Sequence, residues 1–81
     1  MNPRERRRFV VFGFASTHDA MAAESLLIQA AIPVTPMPSP PAFGSLCGLA
    51  MRVLPGDEDR ATDALSRGRV APVARADIED F

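Results

Sequence analysis

The apolar positions of the chain fall into four short stretches with the pattern of β-strands. The run 9–14 is continuously apolar and rich in aromatic and β-branched residues, which predicts a strand buried on both faces. The stretch 46–54 alternates apolar side chains with small or polar ones, which predicts a strand with one face in the core. The stretches 32–38 and 70–74 contain prolines. Because proline has no N–H to donate to a neighbouring strand, we expect both at the edges of a sheet.

Two intervening segments have the spacing of amphipathic helices. The first, 18–31, follows Ser16, whose hydroxyl can accept a hydrogen bond from the first turn, and it stops before Pro33. The second begins at the acidic residues 57–59, which complement the helix dipole, and ends with Gly68 as a C-terminal glycine. The expected buried positions are Ala20, Ala23, Leu27 and Ala30 or Ala31 in the first helix, and Ala61, Ala64 and Leu65 in the second.

The element order β-α-β-β-α-β predicts an α+β protein with a ferredoxin-like fold. Right-handed crossovers then give an antiparallel sheet in the order 4-1-3-2, with both helices on one face. This order places the two proline-containing strands at the edges, in independent agreement with the proline argument. We expect a single domain over 9–76, preceded by a flexible Arg-rich leader, 1–8, and followed by an acidic tail, 77–81.

Composition limits the classes of function. The chain has 81 residues, enough for one domain and too few for a multidomain enzyme with a deep cofactor cleft. Its nine basic residues are all Arg and face ten acidic ones, and the net charge of −1 argues against a nucleic-acid-binding surface. No apolar run approaches the roughly 18 residues of a membrane span. The use of Arg without Lys, together with abundant Ala, is typical of a GC-rich, bacterial genome.

The cysteine and histidine content limits the chemistry further. The arginines before the apolar stretch 9–15 resemble the start of an export signal, but this stretch is short for one and fits a strand better. Cys47 is the single cysteine and cannot form an internal disulfide, which favours a reducing cytoplasm. One His and one Cys are too few for a zinc or iron–sulfur site, and the glycines lack the spacing of a phosphate-binding loop. We therefore expect no metal and no cofactor.

Cys47 is the residue with an evident chemical use. In the predicted topology, the end of the first strand, the start of the first helix and the beginning of the third strand share one edge of the sheet. Cys47 should therefore lie near Ser16, Thr17 and His18, where the positive end of a helix lowers the pKa of a thiol and makes it nucleophilic. Gly48 would leave its backbone open to the close approach of a partner.

Several of these residues also have a purely structural interpretation. A lone cysteine such as Cys47 is often a buried apolar filler. His18, at a helix start, is often a surface or capping residue. Arg52, in the third predicted strand, is expected to extend from the sheet face to solvent. The residues by themselves leave both interpretations open.

Segments around these residues resemble a small bacterial family, the selenium/sulfur carrier protein-like family, over residues 9 to about 75. The matching segments are Ser16-Thr17-His18-Asp19-Ala20, Ala31-Ile32-Pro33-Val34 and Ser45-x-Cys47-Gly48. The resemblance implies a carrier in which Cys47 accepts sulfur or selenium as a persulfide or perselenide. It also implies that Ser45, Gly48, Thr17 and His18 surround the acceptor.

The resemblance has one departure. Relatives usually carry an arginine after the loop proline, where this chain has Pro40-Pro41-Ala42. A cation that could hold an anionic sulfur or selenium species is therefore missing at this place. The start of the first helix would have to stabilise that anion instead.

We therefore expect a cytoplasmic carrier rather than an enzyme, working with a sulfur or selenium donor, such as a cysteine desulfurase, and an acceptor protein. The alternative is a non-catalytic ferredoxin-like interaction module in which Cys47 is structural. In that case the proline-containing edges would discourage strand addition, and a homodimer would form through the sheet face. A third hypothesis is a redox sensor in which peroxide oxidises Cys47 to a sulfenic acid.

Overall fold

The computed structural model describes residues 7–44 and 48–80, the last without its side chain. The elements in chain order are β1 (Arg7–Gly13), α1 (Thr17–Gln29), β2 (Thr35–Pro38), β3 (Leu49–Val53), α2 (Glu58–Arg67) and β4 (Ala74–Asp80). Single 3₁₀ turns, Pro41–Phe43 and Pro55–Asp57, precede β3 and α2. The predicted order of strands and helices is confirmed.

The four strands form one antiparallel sheet in the order β2-β3-β1-β4. This is the predicted order, read from the opposite edge. The proline-free strands β1 and β3 lie in the centre, with Val10 opposite Val53 and Gly13 opposite Ala50. The protein is therefore α+β, as its sequence predicts.

One face of the sheet carries the main core together with both helices. Alternate residues of β1 and β3 point to this face, and the small residues of the helices allow close approach to the sheet. The buried members of this cluster are Val10, Phe12, Phe14, Ala20, Ala23, Leu27, Ile32, Met51, Val53, Ala61 and Leu65. We call this the helix face.

The opposite face has a smaller cluster, and we call it the open face. Val11 and Ala50 are fully buried there under Phe43, which comes from the 3₁₀ turn before β3. Half-buried Met37, Ala74, Ala76 and Ile78 surround this centre. Because β1 contributes to both clusters, it is buried on both faces along 9–13, as predicted.

The last strand lies later in the chain than predicted. Of the predicted stretch 70–74 only Ala74 belongs to a strand, and the acidic tail expected over 77–81 is instead part of β4 up to Asp80. In β4 the alternate residues Ala74, Ala76 and Ile78 contact the open-face cluster, and the charged residues between them are exposed. The high acidity of the segment obscured a two-residue alternation that is typical of a strand with one solvated face.

The first strand begins earlier than predicted, within the segment 1–8 that was expected to be an Arg-rich leader. Arg7 and Arg8 belong to β1, where they lie opposite Asp80 and Glu79 of β4. The unexpected extension of β4 through the acidic segment also explains this early start of β1, because residues 79 and 80 of β4 pair with Arg8 and Arg7. Residues 1–6 lie outside the described part of the chain.

Both edges of the sheet are occupied by the predicted strands, but the proline argument holds at only one. Pro36 and Pro38 lie within β2, as expected for an edge strand. Pro72 precedes β4, which itself contains no proline. The position of β4 at the edge was therefore predicted correctly for a reason that does not apply.

Both helices end in the same hydrogen-bonded motif. After α1, the Ala31 N–H donates to the Ile28 carbonyl at 3.0 Å and the Ile32 N–H donates to the Leu27 carbonyl at 2.9 Å. This is a Schellman ending, with Ala31 in the left-handed region at φ 58°. Ala30 and Ala31 are exposed, and Ile32 fills the core position that the apolar stripe had assigned to one of them.

The second ending corrects the interpretation of Gly68. In α2 the left-handed residue is Arg69, at φ 61°, whereas Gly68 has φ −84°. Val70 follows, and its N–H donates to the Leu65 carbonyl at 3.0 Å. Gly68 is instead required by packing, because a Cβ there would lie 2.3 Å from Leu26 Cδ1.

Candidate functional site

The start of α1 is built by its cap residue. Ser16 has an extended backbone, and its Oγ accepts a hydrogen bond from the Asp19 N–H at 3.1 Å. The Ser16 carbonyl accepts the first helical hydrogen bond, from the Ala20 N–H, at 3.1 Å. The predicted cap is confirmed. Helix geometry directs the remaining first-turn N–H groups, those of Thr17 and His18, outward from the end of the helix.

Thr17 and His18 are both exposed on the first turn of α1. Their side chains reach solvent at the positive end of the helix, where the macrodipole favours an anion. The structure thus bears out the surface position expected for His18. Asp19, one residue later, is half-buried.

The beginning of β3 lies at the same end of the sheet as the start of α1. Gly13, the last residue of β1, is opposite Ala50, and Ser16 follows it by three residues. Gly48 directly precedes β3 and is exposed, and its carbonyl accepts a hydrogen bond from the Ser39 N–H at 3.1 Å. The structure therefore brings Gly48, Ser16, Thr17 and His18 to one end of the sheet, as the topology predicts.

Ser45 and Cys47 lie outside the described residues, and Cys47 is covalently attached to Gly48. Its proximity to the first turn of α1 therefore remains a prediction. The described residues that flank the segment 45–47 are Gly44 and Gly48.

Sequence reasoning missed the residue that anchors the proline-rich loop. Phe43, in the turn Pro41–Phe43, is buried against Gly13, where an added Cβ would lie 2.6 Å from Phe43 Cδ2. The Gly44 N–H closes the turn on the Pro41 carbonyl at 3.0 Å, and Gly44 has φ 64°. The available signal was one large apolar side chain in a loop of Pro, Ala and Gly. Phe43 fixes the loop to the end of β1 two residues before Ser45.

A second correction concerns Arg52. The side chain does not extend freely into solvent, since it is half-buried with its guanidinium carbon 4.0 Å from the centroid of the Phe9 ring. Phe9 and Arg52 lie on neighbouring strands, and the attraction between a cation and the ring face favours this packing. Arg52 lies on the open face, opposite Thr35 of β2.

A charge cluster joins α2 to β4, away from the predicted site. The Arg75 guanidinium donates to both carboxylate oxygens of Glu58, at 2.8 Å from Nη2 to Oε1, and to Asp77 at 3.1 and 3.2 Å. The hydrogen bond from Arg75 lowers the pKa of Glu58 below its ordinary value. Hydrogen bonds to Glu58 and Asp77 raise the pKa of Arg75.

A groove of about 460 Å³ lies between the last turns of α1 and the side of α2. Its floor includes Leu26 and Ala64. At its rim, Arg67 pairs with Asp63 at 3.0 Å. The groove is lined by the C-terminal end of α1, whereas the predicted site is at the N-terminal end of this helix.

The described part of the chain has neither a cluster of metal-binding side chains nor a membrane-spanning helix. Among residues 7–44 and 48–80, no group of three or more His, Cys, Asp or Glu side chains could hold a metal ion. Within the same residues, no helix has the length and apolar character needed to cross a membrane.

These features define a small α+β protein with a capped helix start beside the beginning of a central strand. Residues 9–74 match the family described as Putative Se/S carrier protein-like, and the chain belongs to this family. The suspected resemblance is thereby confirmed. No curated protein matches the chain, and no solved structure does. The family match ends at the first residue of β4.

Proposed function

We propose that the protein carries sulfur or selenium on Cys47 as a persulfide or perselenide and passes it to an acceptor protein. The observation that carries this proposal is family membership over residues 9–74 together with the position of Gly48. The residue attached to Cys47 lies at the sheet end where α1 begins. The protein acts stoichiometrically, as a carrier rather than as a turnover enzyme.

The transfer step balances without an added oxidant or reductant. The Cys47 thiolate attacks the terminal sulfur of a donor persulfide, and a new bond forms between Cys47 Sγ and that sulfur. The donor's own S–S bond breaks, and the donor leaves as a thiolate that takes up the proton lost by Cys47. A nucleophile on the acceptor protein later attacks the carried atom and regenerates the Cys47 thiolate.

The start of α1 supplies the stabilisation that an anionic sulfur needs. Ser16 uses its hydroxyl to cap Asp19, which leaves the N–H groups of Thr17 and His18 for an incoming anion. An exposed His18 adds a side chain that can donate a hydrogen bond. This arrangement compensates for the missing arginine in the loop 40–42.

We further assign the chain to the ferredoxin-like fold. The β-α-β-β-α-β order, the antiparallel sheet order and the packing of both helices on one face support this assignment. The carrier function places the protein in the reducing cytoplasm, where a free thiol persists. A cysteine desulfurase is the class of donor whose persulfide fits the step.

The proposal predicts a defined mass change on a single residue. After incubation with a cysteine desulfurase and cysteine, the intact protein should gain the mass of one sulfur atom, and a reductant should remove it. The Cys47→Ser variant should gain nothing. A Cys47→Ser variant that still loads, or a native chain whose thiol resists iodoacetamide until denatured, would contradict the carrier function and favour a structural cysteine.

A relocated cysteine is the matched control. In the Cys47→Ser background, Ser25→Cys places an exposed thiol in the middle of α1. It should react with iodoacetamide but load sulfur more slowly than Cys47, because the positive end of α1 stabilises a nearby thiolate and the middle of the helix does not. Equal loading at both positions would show that any exposed thiol accepts sulfur.

A further inference from the structure

We propose that two copies of the chain pair through their β4 strands and form one continuous eight-stranded sheet. This inference is independent of the proposed carrier function. The strand β4 is long for an edge strand, with seven residues, Ala74–Asp80, and it contains no proline or glycine. Among the described strands, β4 pairs with β1 alone, so its outer backbone edge offers N–H and C=O groups to another strand.

The two faces of β4 have opposite character. Arg75, Asp77 and Glu79 are exposed on the helix side, where Arg75 contacts Glu58 of α2. Half-buried Ala74, Ala76 and Ile78 line the open face. In a pair of antiparallel strands, directly opposite residues share a face. When a second β4 extends the sheet, the helices of both chains lie on the same side. Only registers that place odd-numbered residues opposite odd-numbered ones, and even-numbered opposite even-numbered ones, are then possible.

Charge selects one of the matching registers. A two-fold axis at Ala76 places Arg75 of each chain opposite Asp77 of the other, and the open face then pairs Ala74 with Ile78. An axis at Asp77 would pair Arg75 with Glu79 but would oppose the two Asp77 carboxylates at its centre, and an axis at Arg75 would oppose two guanidinium groups. An axis at Ile78 would oppose Asp77 and Glu79. Opposite charges across strands stabilise a sheet and like charges destabilise it. The register centred on Ala76 is favoured because it alone pairs opposite charges without opposing any like charges.

The charged residues of this register are already held in place. Arg75 is fixed by Glu58 and by Asp77 of its own chain, at 3.1 and 3.2 Å for the latter. In the dimer, two Arg75 and two Asp77 side chains alternate in sign around the axis. Ordering these side chains before association reduces the entropy lost on pairing.

The first test measures association by sedimentation equilibrium over a range of concentrations. The native chain should reach the mass of a dimer, and Asp77→Arg should weaken association about tenfold or more, because two attractive cross-strand pairs become repulsive. Arg75→Glu should fail to dimerise in the same way. Mixing the two variants should restore a dimer, since every position 75 then faces a position 77 of opposite charge. Circular dichroism checks that each variant is folded.

The second test fixes the register by cross-linking in the Cys47→Ser background. Ala76→Cys should form an intermolecular disulfide with its own mate on mild oxidation with diamide. Its matched control is Ala74→Cys, on the same face, whose mate lies about 13 Å away along the strand at roughly 3.3 Å per residue. That separation is beyond the reach of a disulfide.

These measurements can overturn the proposal in two ways. A chain that stays monomeric at every concentration has no β4 interface. A dimer that is insensitive to Asp77→Arg and cross-links equally at positions 74 and 76 pairs through another surface, such as the open face. Neither result depends on sulfur transfer, because sedimentation is measured without a sulfur donor and the cross-linked chains lack Cys47.

Discussion

At the scale of single residues, the two helix endings distinguish two roles of glycine. One is to adopt a left-handed backbone conformation, and the other is to leave space for a neighbouring side chain. The left-handed position is held by Ala31 after α1 and by Arg69 after α2, although glycine adopts this conformation more readily. Gly68 has an ordinary backbone and is needed because Leu26 occupies the space of a side chain. Packing between the two helices therefore explains why position 68 is a glycine.

Replacement of Gly68 tests this assignment. Gly68→Ala should lower the free energy of unfolding by about 1 kcal/mol, because the cost of overpacking exceeds the gain from a less flexible unfolded chain. The measurement is urea denaturation. Gly56→Ala is the control, since a Cβ at Gly56 meets nothing within 4 Å, and it should be neutral or slightly stabilising. Equal effects of the two substitutions would contradict the packing explanation.

At the scale of elements, one ion pair connects the first turn of α2 to β4. Arg75 binds Glu58 through two hydrogen bonds while it also binds Asp77 of its own strand. Glu58 and Arg75 are 17 residues apart in the sequence, so the pair fixes the direction in which α2 lies over the sheet. A bidentate contact of this kind constrains orientation as well as distance.

This pair makes stability depend on pH in a defined direction. The pKa of Glu58 is lowered from 4.5 in the folded chain, so its contribution is present above that value and is lost as the pH falls through the folded pKa. The unfolding free energies of the native chain and of Glu58→Gln should therefore differ at pH 7 and converge below about pH 4.5. Thermal unfolding across this range measures the difference.

Asp59→Asn is the matched control for the pH dependence. Asp59 lies in the same first turn of α2 as Glu58, so its substitution removes the same charge from the start of the helix. Its variant should retain the acid-dependent loss of stability that Glu58 produces. A Glu58→Gln chain with the native pH profile would show that the Arg75 contact does not contribute.

At the scale of the whole molecule, the two faces of the sheet are stabilised unequally. Two helices cover the helix face, whereas Phe43 from a single turn covers the centre of the open face. Val11 and Ala50 are nevertheless fully buried, and among the described residues Phe43 is the large buried side chain of their cluster. The loop that precedes β3 is thereby part of the core.

Removal of this ring should therefore have a large effect. Phe43→Ala should lower the free energy of unfolding by about 3 kcal/mol, at the low end for a buried aromatic residue because the site is near the surface. Chemical denaturation gives the value. Leu54→Ala, at an exposed residue, should cost less than about 1 kcal/mol. Similar losses for the two variants would mean that Phe43 does not cover the sheet.

The pattern of apolar residues was sufficient to predict the topology, because the two central strands are apolar and proline-free while β2 carries two prolines. It was insufficient for β4, where the signal of alternation is carried by small Ala74 and Ala76 among charges. The pairing of Arg7 and Arg8 with β4 depends on contacts distant in sequence, which local patterns do not contain. At the candidate site, the Ser16 cap is a local signal and was predicted, whereas the Phe43 contact with Gly13 is long-range and was not.

The two prolines of β2 have a consequence for how far assembly can proceed. Two chains joined at β4 would expose a β2 strand at each end of the combined sheet, and Pro36 and Pro38 deny an added strand the donors it requires. Further copies then have no edge on which to grow, so the particle is finite and symmetric. Its mass should reach a plateau at two chains as the protein is concentrated, with no fibres, because the sheet can grow at one edge only.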